Sequence, residues 1–540
     1  KTMRWNASGV AFSRPIRWLL ALHGAAVVPF EYAGVASGHL TRGLRPDGSP
    51  EIVVRSADQY LAAMSAAGIL LDPQQRQAAI AAQVEGLAAA AGGQALPDPD
   101  LLAEVANLVE KPTALLGNFN PAFLSLPRDV LISTMKKHQR YFPLAPASAA
   151  QAPEGLLPRF IAVRNGDERH LGLVQQGNEH VLGARFADAD FFVREDLKRP
   201  LEAYRPELAG LIFHVRLGSM LEKSERLLKL AEAVAAMLEL DPARRKAALR
   251  AAFLAKADLV TSMVTEMTSL QGIIGREYAL RCGEDPEVAQ AIGEQYQPVP
   301  RGGSGLVVAL ADRLDSLVGL FAAGLAPTGA KDPFGLRRAT IGVVQPLIEH
   351  DRTFDLAAAV AKAAALQPIE AGAGVQAQVL DFLAGRLSVV LKESGRKYDV
   401  VDAVLAAQAG DPAGAARAVG QLQAWVERPD WNTILPAFAR CVRITRDQEQ
   451  TYQVDESAFQ EKEEERLYAA LRKAEAARQP GAVDGFLKAF RPMIPAINAF
   501  FERVLVMTED RAVRENRLAL LQRVAALSGG IADLSKLEGF

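Results

Sequence analysis

The stretch "LGSMLEKSERLLKLAEAVAAM", Leu217–Met237, decides how the larger part of this chain folds. Apolar or small residues recur along it at helical spacing, and they are Leu217, Leu221, Ser224, Leu228, Ala231 and Ala235. A period of three to four residues predicts an amphipathic helix whose apolar face packs on a core. The same helical periodicity continues from Leu201 to the end of the chain, and further helices are predicted around 241–268, 287–296, 306–323 and 334–349.

The sequence before Leu201 has a different texture. Residues 10–43 alternate β-favouring runs with Gly and Pro, which predicts short strands and hairpins. Helices are predicted around 57–67, around 73–91 and from Asp100, while "FIAVRNG", Phe160–Gly166, predicts a strand and 145–158 a loose loop. We therefore predict an α+β multidomain protein. Its parts are a mixed α/β region over 1–200, an all-α domain over 201–425 and a second all-α domain over 426–540.

Composition excludes several classes of protein. The chain has 540 residues, 49% hydrophobic and 23% charged, which are globular values and suit more than one domain. Its formal net charge of −2 indicates that any nucleic-acid binding must use local patches. Two distant cysteines, Cys282 and Cys441, form no disulfide framework, and we found no apolar run approaching a membrane span. We therefore predict a cytoplasmic protein with no membrane contact.

Motifs for chemistry are missing. The seven histidines include no pair at a spacing of three or four residues, which disfavours a histidine metal site. There is no nucleophile elbow, dinucleotide fingerprint or kinase motif set. The sequence predicts no catalytic residue and no metal ligand in this chain.

One loop-to-helix stretch, "APTGAKDPFGLRRATIGVVQPLIEHD" at Ala326–Asp351, carries concentrated basic charge. It is too short between its glycines for a nucleotide-binding loop, so Asp332 is expected to cap a helix that starts at Pro333. Lys331, Arg337 and Arg338 could hold a phosphate or a carboxylate near that helix start, or could be ordinary surface residues. A second basic group, Lys136, Lys137 and Arg140, ends another predicted helix. Both groups are candidates for contacts with a nucleic-acid backbone or with a partner subunit.

The order of helices in the middle of the chain resembles the HD-type phosphohydrolase fold, in which histidines and aspartates bind metal. Lys223 or Ser224 stands near the position of the first histidine, and Ala255–Asp258 near the His-Asp pair. Lysine cannot replace a metal ligand, because it brings positive charge of its own. The predicted set of Lys223, Lys256, Asp258, Asp312 and Asp315 is therefore a degenerate cluster, either structural or facing RNA.

The end of the chain, "INAFFERVLVMTEDRAVRENRLALLQRV" at Ile497–Val524, resembles the helical anticodon-binding domain of arginyl- and cysteinyl-type tRNA synthetases. Guanidinium and amide groups suit the reading of unstacked bases. The candidate anticodon-binding residues are Arg511, Arg514, Asn516 and Arg517. Arg514 and Arg517, three residues apart, are expected to share an exposed face. Residues 431–540 hold 16 Lys and Arg against 16 Asp and Glu, so recognition there must be local.

Several separated segments resemble, in order, the β subunit of the bacterial-type, two-subunit glycyl-tRNA synthetase. They are "MRWNASGVAFSRPIRWLLALHG", "LISTMKKHQRYFPL", "GNEHVLGARFADADFFVREDLKRPLE", "LVTEMTSLQGIIGREYA", "EQYQP" and "KDPFGLRRA". The resemblance spans essentially all 540 residues. Members of that family carry a longer N-terminal region, so this sequence is interpreted as N-terminally truncated.

The resemblance implies a glycine–tRNA ligase that works as an α2β2 complex. It implies that the α subunit binds ATP and Mg²⁺ and activates glycine, while this chain holds no cofactor and positions glycine tRNA. Two alternatives stay open from the sequence, namely a metal-dependent HD-type phosphohydrolase and a purely structural assembly subunit.

Overall fold

The computed structural model describes residues 2–148, 155–479 and 481–540. Contacts within the chain divide it into two compact units, one of residues 1–198 with 262–270 and one of residues 199–261 with 271–540. This division does not separate 201–425 from 426–540, so the three-part organisation stays a prediction. Residues 149–154 of the predicted loop lie outside the described residues.

The first unit begins with short strands, as the alternation of β-favouring residues with Gly and Pro predicts. They are Met3–Arg4, Ala11–Phe12, Leu19–Leu20, Leu22–His23, Ala26–Val27, Glu31–Tyr32, Val35–Gly38, Leu40–Arg42 and Glu51–Val53. Large side chains such as Trp5, Phe30 and Tyr32 stay exposed on them. Only a small core forms nearby, around Leu44 and Met64. Backbone pairing, rather than buried apolar area, therefore holds these strands together.

A four-stranded antiparallel sheet forms the centre of the first unit. Its strands, in spatial order, are Gly93–Ala95, Phe142–Pro146, Arg159–Asn165 and Pro112–Asn118. Ala114 and Leu116 face the helix Pro73–Ala90, and together with it they belong to one hydrophobic core. Leu115 points to the other face of the sheet and is also buried, so both faces are covered.

Helices surround this sheet. The helices of the first unit are Tyr60–Ala66, Pro73–Ala90, Pro99–Leu108, Arg128–Ser133, Leu171–Asp196 and Ser262–Glu266. The 26-residue helix Leu171–Asp196 was not predicted from the sequence. Its buried Phe186 packs on Phe119 with ring centroids 4.9 Å apart. The buried Asp196 carboxylate then accepts hydrogen bonds from the backbone N–H groups of Ser262 and Met263, at 2.9 and 3.0 Å. These two bonds fix the returning segment 262–270 to the end of the helix.

The second unit is almost entirely helical, as predicted. Its helices are Met220–Met237, Pro242–Leu254, Ile273–Arg281, Pro286–Glu294, Gly303–Ala322, Leu336–Glu349, Leu356–Leu366, Ala373–Glu393, Tyr398–Gln408, Pro412–Val426, Trp431–Thr445, Lys462–Ala477, Val483–Phe490, Ile494–Arg503 and Arg511–Ala525. Two details differ from the prediction. A small hairpin of Ile212–His214 and Gly218–Ser219 precedes the first helix, and the predicted helix 241–268 ends at Leu254.

The C-terminal helices share a core of aromatic and aliphatic side chains. Phe438 contacts Phe486 and Phe490 edge-on, with centroids 5.8 and 5.4 Å apart. Polar bonds join this part to the helices before it, since Trp425 Nε1 donates to Asp484 at 2.7 Å. Contacts of this kind explain why 201–425 and 426–540 cluster as one compact unit.

One helix among the described residues, Ala373–Glu393, is long and apolar enough to cross a membrane by length and composition alone. It buries Val379, Leu383, Leu387 and Leu391, one residue per turn, within the second unit. Burial of one stripe in this way is the pattern of a helix packed on a protein core.

Gly117 gives a direct test of the sheet. It lies opposite Phe160 in the pairing of strands Pro112–Asn118 and Arg159–Asn165, and an added Cβ would overlap the buried Phe160 ring. That ring is stacked on Tyr141 at 4.6 Å and cannot easily retreat. We expect Gly117→Ala to lower the free energy of unfolding by about 1–3 kcal/mol, measured by denaturant titration.

Gly177→Ala is the matched control, because nothing lies within 4 Å of a Cβ at that helical position. It should raise stability by up to about 1 kcal/mol through helix propensity. Equal effects of the two substitutions would contradict the close packing at Gly117.

Candidate functional site

The predicted degenerate cluster is brought together inside the second unit. Lys223 extends from the helix Met220–Met237, and its Nζ lies 3.0 Å from Asp312 Oδ1 and 2.9 Å from Asp315 Oδ2. Lys256, in the turn after the helix Pro242–Leu254, lies 2.9 Å from Asp312 Oδ2. Asp312 therefore bridges two ammonium groups. The lysine side chains are each only 3% exposed, so water screens these pairs weakly.

Two further residues that sequence reasoning missed complete the cluster. Arg226 Nε donates to Asp315 Oδ1 at 2.7 Å, one helical turn beyond Lys223. Tyr296 receives a hydrogen bond on its hydroxyl from Lys256 Nζ at 2.9 Å, and the same ammonium lies 4.3 Å from the ring centroid. The spacing of Lys223 and Arg226 on one helix face was the available signal. The sequence pattern assigned that face to apolar residues instead.

Asp258 has a different environment from the other two carboxylates. Its Oδ2 accepts backbone N–H bonds from Gly272 at 2.5 Å and Gly275 at 3.2 Å, whereas its buried Oδ1 has no hydrogen-bond partner in the structure. Burial raises the pKa of Asp258 to about 6, against the opposing effect of these bonds and of Lys256. Burial also acts to raise the pKa of Asp312, but Lys223 and Lys256 outweigh it and hold that pKa well below its usual range.

This arrangement does not suit metal binding. Each carboxylate oxygen of Asp315 already accepts bonds from Lys223 or Arg226, and Asp312 lies between two lysines. Among the described residues no group of three or more His, Cys, Asp or Glu could hold a metal ion. A buried cluster in which three cations pair with Asp312 and Asp315 can join helices, and these two carboxylates are already engaged by cations of the chain.

The loop-to-helix stretch differs from its prediction. The helix starts at Leu336 after Gly335 in the left-handed region at φ 65°, rather than at Pro333. Asp332 still caps it, since its carboxylate accepts from the N–H groups of Leu336 and Arg337 at 2.8 and 2.9 Å. The helix start is thus already neutralised by a carboxylate of the chain. Arg337 bonds the Gly329 carbonyl at 2.5 Å and fixes the loop.

An exposed apolar surface lies beside this loop. Phe334 is 43% exposed and contacts His214 of the small hairpin edge-on, at 6.4 Å between centroids. Ile212 and Val215 of that hairpin are 62% and 87% exposed. The side chains of Lys331 and Arg338 make no hydrogen bond or ion pair with any described residue. We call these residues the hairpin surface: Ile212, Val215, Lys331, Phe334 and Arg338.

The basic group near residue 136 is partly used within the first unit. Lys136 pairs with Asp98 at 2.8 Å, and Arg140, at a positive φ of 56°, pairs with Glu104 at 3.0 Å. Both acidic partners belong to, or directly precede, the helix Pro99–Leu108. Lys137 is exposed, and its side chain has no partner among the described residues. Of the three predicted residues, only Lys137 offers an unpaired charge.

Two of the predicted anticodon-binding residues are likewise engaged inside the protein. Arg517 is buried, donates to Glu464 at 2.9 Å and to the Leu505 carbonyl at 3.0 Å. Asn516 is also buried and bonds the backbone of Asp455 in both directions, at 2.8 and 3.0 Å. The shared exposed face expected for Arg514 and Arg517 is therefore not formed. The physical reason is that Glu464, itself buried, requires a cation.

Of the four predicted anticodon-binding residues, Arg511 and Arg514 remain at the surface. Arg511 pairs with Glu515 at 2.8 Å but is 78% exposed, so the pair contributes little and can open. Arg514 is half-buried and donates to the Thr508 carbonyl at 3.0 Å. Between the last two helices, Leu505 and Met507 are 70% and 55% exposed. An exposed apolar loop beside two arginines is suited to stacking and hydrogen bonding with unpaired bases.

Two family models match the chain. Residues 434–532 match a DALR anticodon binding domain, and residues 1–406 match the glycyl-tRNA synthetase beta subunit. These matches first define the class: an aminoacyl-tRNA synthetase chain that carries a helical anticodon-binding domain.

Curated relatives narrow this class. The glycine–tRNA ligase beta subunit of Moorella thermoacetica is 43% identical over 99% of this chain and 79% of its own length. That of Desulforudis audaxviator is 42% identical, with the same coverage. A chloroplastic/mitochondrial glycine–tRNA ligase of Arabidopsis thaliana is 39% identical over all of this chain and 51% of its own length. The chain belongs to the family of glycyl-tRNA synthetase β subunits and forms part of a multi-subunit glycine–tRNA ligase.

The buried cluster predicts that Lys223 contributes much more to the free energy of unfolding than an exposed, paired lysine does. Removing one partner from a buried ion pair leaves an uncompensated charge, so Lys223→Ala should cost about 3–5 kcal/mol of unfolding free energy. Lys392→Ala is the control, because its pair with Asp402 has the same 2.8–3.0 Å separation but is 37% and 45% exposed. That substitution should cost about 0–1 kcal/mol. Denaturant titration of both variants decides the matter, and similar costs would contradict the cluster as a stabilising core.

Proposed function

We propose that this chain binds glycine tRNA through its C-terminal anticodon-binding domain and positions it for glycylation in a partner α subunit. The observation that supports this most directly is the exposed loop of Leu505 and Met507 beside Arg511 and Arg514, within the segment matched to the DALR domain. Holding a bulky substrate at both ends converts a bimolecular transfer into a positioned one. The chain thus contributes orientation rather than bond chemistry.

The α subunit in this proposal binds ATP and Mg²⁺ and activates glycine, within a cytoplasmic α2β2 complex. Family membership and the absence of a nucleotide-binding motif from the sequence support this division of labour. The residues 201–425 then act as a degenerate HD-like domain, whose lysines take the place of metal ligands. An HD-type phosphohydrolase is disfavoured, because Lys223, Lys256 and Arg226 engage the carboxylates that such an enzyme would need for metal.

Outside the anticodon domain, we assign contacts with tRNA or the α subunit to the basic residues that have no partner within the described chain. Lys137, Lys331 and Arg338 are proposed to meet tRNA phosphates or the α subunit, since they have no partner among the described residues. Lys136, Arg140 and Arg337 are proposed to support those surfaces from within. The exposed apolar members of the hairpin surface favour a protein partner there, because single-stranded RNA would call for more aromatic area.

The first experiment separates this chain from the activating subunit. We expect the purified chain to show no glycine-dependent ATP–pyrophosphate exchange, with or without tRNA. Addition of a matching α subunit should supply exchange, and the β chain should then be required for glycyl-tRNA formation. Exchange by the chain alone would refute the proposed division, and glycylation by the α subunit alone would refute the role in positioning.

The second experiment tests base reading by Arg514. A bidentate contact to a base is worth about 1–3 kcal/mol, so Arg514→Ala should lower kcat/KM for cognate tRNA by about 5- to 150-fold. The variant should also discriminate less against a glycine tRNA whose anticodon bases have been substituted. Glycylation of both tRNAs by the reconstituted enzyme measures this.

Arg523→Ala is the control for Arg514→Ala, because Arg523 lies on the same helix as Arg514 but already forms a 2.6 Å pair with Glu475 of the helix Lys462–Ala477. It should leave the discrimination unchanged. Arg517→Ala should instead reduce the stability of the domain, since it strands the buried Glu464. Equal losses of Arg514→Ala on both tRNAs would assign Arg514 to phosphate contact or folding, and would contradict base reading.

A further inference from the structure

A cavity of about 360 Å³ lies in the second unit, away from the buried cluster and from the anticodon domain. Four chain segments line it: the start of the helix Pro242–Leu254, the helix Pro286–Glu294, the turn that leads into the helix Gly303–Ala322, and the segment after the helix Leu336–Glu349. The charged or titratable side chains that line it are Arg244, Glu287, Arg301, His350 and Arg352. Three guanidinium groups therefore face one carboxylate.

The cations of this cavity are not neutralised by the chain. The side chains of Arg301 and Arg352 make no hydrogen bond or ion pair with any described residue, and both are exposed. Arg244 has only a loose 3.6 Å contact with Asp241, in which both side chains are more than half exposed. Three positive charges close together repel one another unless an anion binds between them. The structure thus holds them close together without supplying a counter-charge of matching strength.

The acidic groups nearby are, in contrast, bonded to neutral donors. Glu287 accepts from the Ser304 hydroxyl at 2.7 Å. The buried Glu294, behind the lining, accepts from the Gly302 N–H at 3.0 Å and from Gln290 at 2.7 Å. Both oxygens of Glu294 are therefore engaged within the protein, and one oxygen of Glu287 is held by Ser304. The three arginines outnumber the one carboxylate that lines the cavity, so the lining carries net positive charge.

His350 fixes one wall. Its Nε2 lies 2.6 Å from the Pro300 carbonyl, so this nitrogen carries the proton and donates. The bond ties the segment that bears Arg352 to the residue before Arg301. A second cavity of about 260 Å³ adjoins the first and shares Arg244 and Arg352 as lining residues. The arginine side chains can therefore reach a ligand from more than one side.

We propose that this cavity binds a phosphate group through Arg244, Arg301 and Arg352. Arginine presents planar forks of N–H donors that match phosphate oxygens, and such charge-assisted bonds are strong. The cavity volume lies at the lower end of the range for small-ligand sites, which is about 300–1,000 Å³. The phosphate has two possible sources, a backbone phosphodiester of RNA and a free phosphate compound. The site does not depend on the proposed function, because either source satisfies it.

The test uses the full chain and the double variant Arg301→Gln/Arg352→Gln, which removes both unpaired cations. Arg396→Gln is the matched control, because Arg396 is exposed and its side chain has no partner among the described residues. Unchanged melting temperatures would confirm that all three proteins are folded. Inorganic pyrophosphate binding is measured by calorimetry, and affinity for glycine tRNA is measured as a function of salt.

The proposal expects one of two losses in the double variant. Pyrophosphate affinity should fall about tenfold or more, or the slope of log tRNA affinity against log salt concentration should become shallower by about one for each arginine removed. A fall in both measurements identifies RNA backbone that pyrophosphate imitates, and a fall in pyrophosphate affinity alone identifies a free compound. A fall in the tRNA salt slope alone identifies a phosphodiester site.

Binding of pyrophosphate and tRNA that is equal in the wild type, the double variant and the control would overturn the proposal. The proposed function is tested separately by this design. A chain that binds no tRNA, yet loses pyrophosphate binding in the double variant, would keep the cavity and remove tRNA positioning. Normal tRNA binding, together with pyrophosphate and tRNA binding that neither arginine affects, would keep tRNA positioning and remove the phosphate site.

Discussion

The helical region depends on one interaction, the bridge that Asp312 makes between Lys223 and Lys256. It joins the helix Met220–Met237 to the turn after Leu254 through the central helix Gly303–Ala322. Buried ions are costly to desolvate, and a tightly packed apolar cluster could have been equally stable. Ion pairs, however, tolerate only one register between their helices, because a displaced partner leaves a bare charge. The cluster therefore specifies how these helices pack as well as how strongly.

The sequence predicted the class of fold because helical periodicity is a local signal. In the helix predicted around 334–349, the residues Leu336, Thr340, Val343, Val344 and Leu347 stand at helical spacing in the sequence, and all five are buried. The prediction failed where tertiary contacts override the pattern. In Leu217–Met237 the buried face contains Lys223 and Arg226, while Leu221 and Leu228 are only partly buried. A charged residue inside a helical stripe reads as a break in the stripe, unless its distant partner is known.

Distant partners also limited what the sequence could predict about the site residues. Sequence identified the basic groups, because arginine and lysine are visible by type. It could not divide them into paired and unpaired members, since the partners lie far away in the chain. Glu464 is 53 residues from Arg517, and Asp98 precedes Lys136 by one strand and three helical segments. Arg517 is buried because it bonds Glu464 and the Leu505 carbonyl, and both of these partners lie outside its own helix.

Under the proposed function, unpaired cations are what allows a chain with a net charge of −2 to bind a polyanion. An arginine that is paired within the protein contributes little to the field outside it, because most of its charge is cancelled at close range. Lys137, Lys331, Arg338, Arg301 and Arg352 have no such partner among the described residues, so each keeps its full charge toward solvent. At physiological salt that charge acts over about 8 Å, which makes each group a local contact rather than part of a general attraction. Binding built from such contacts selects a ligand by where its phosphates lie, and a folded RNA of fixed shape satisfies that condition better than an extended one.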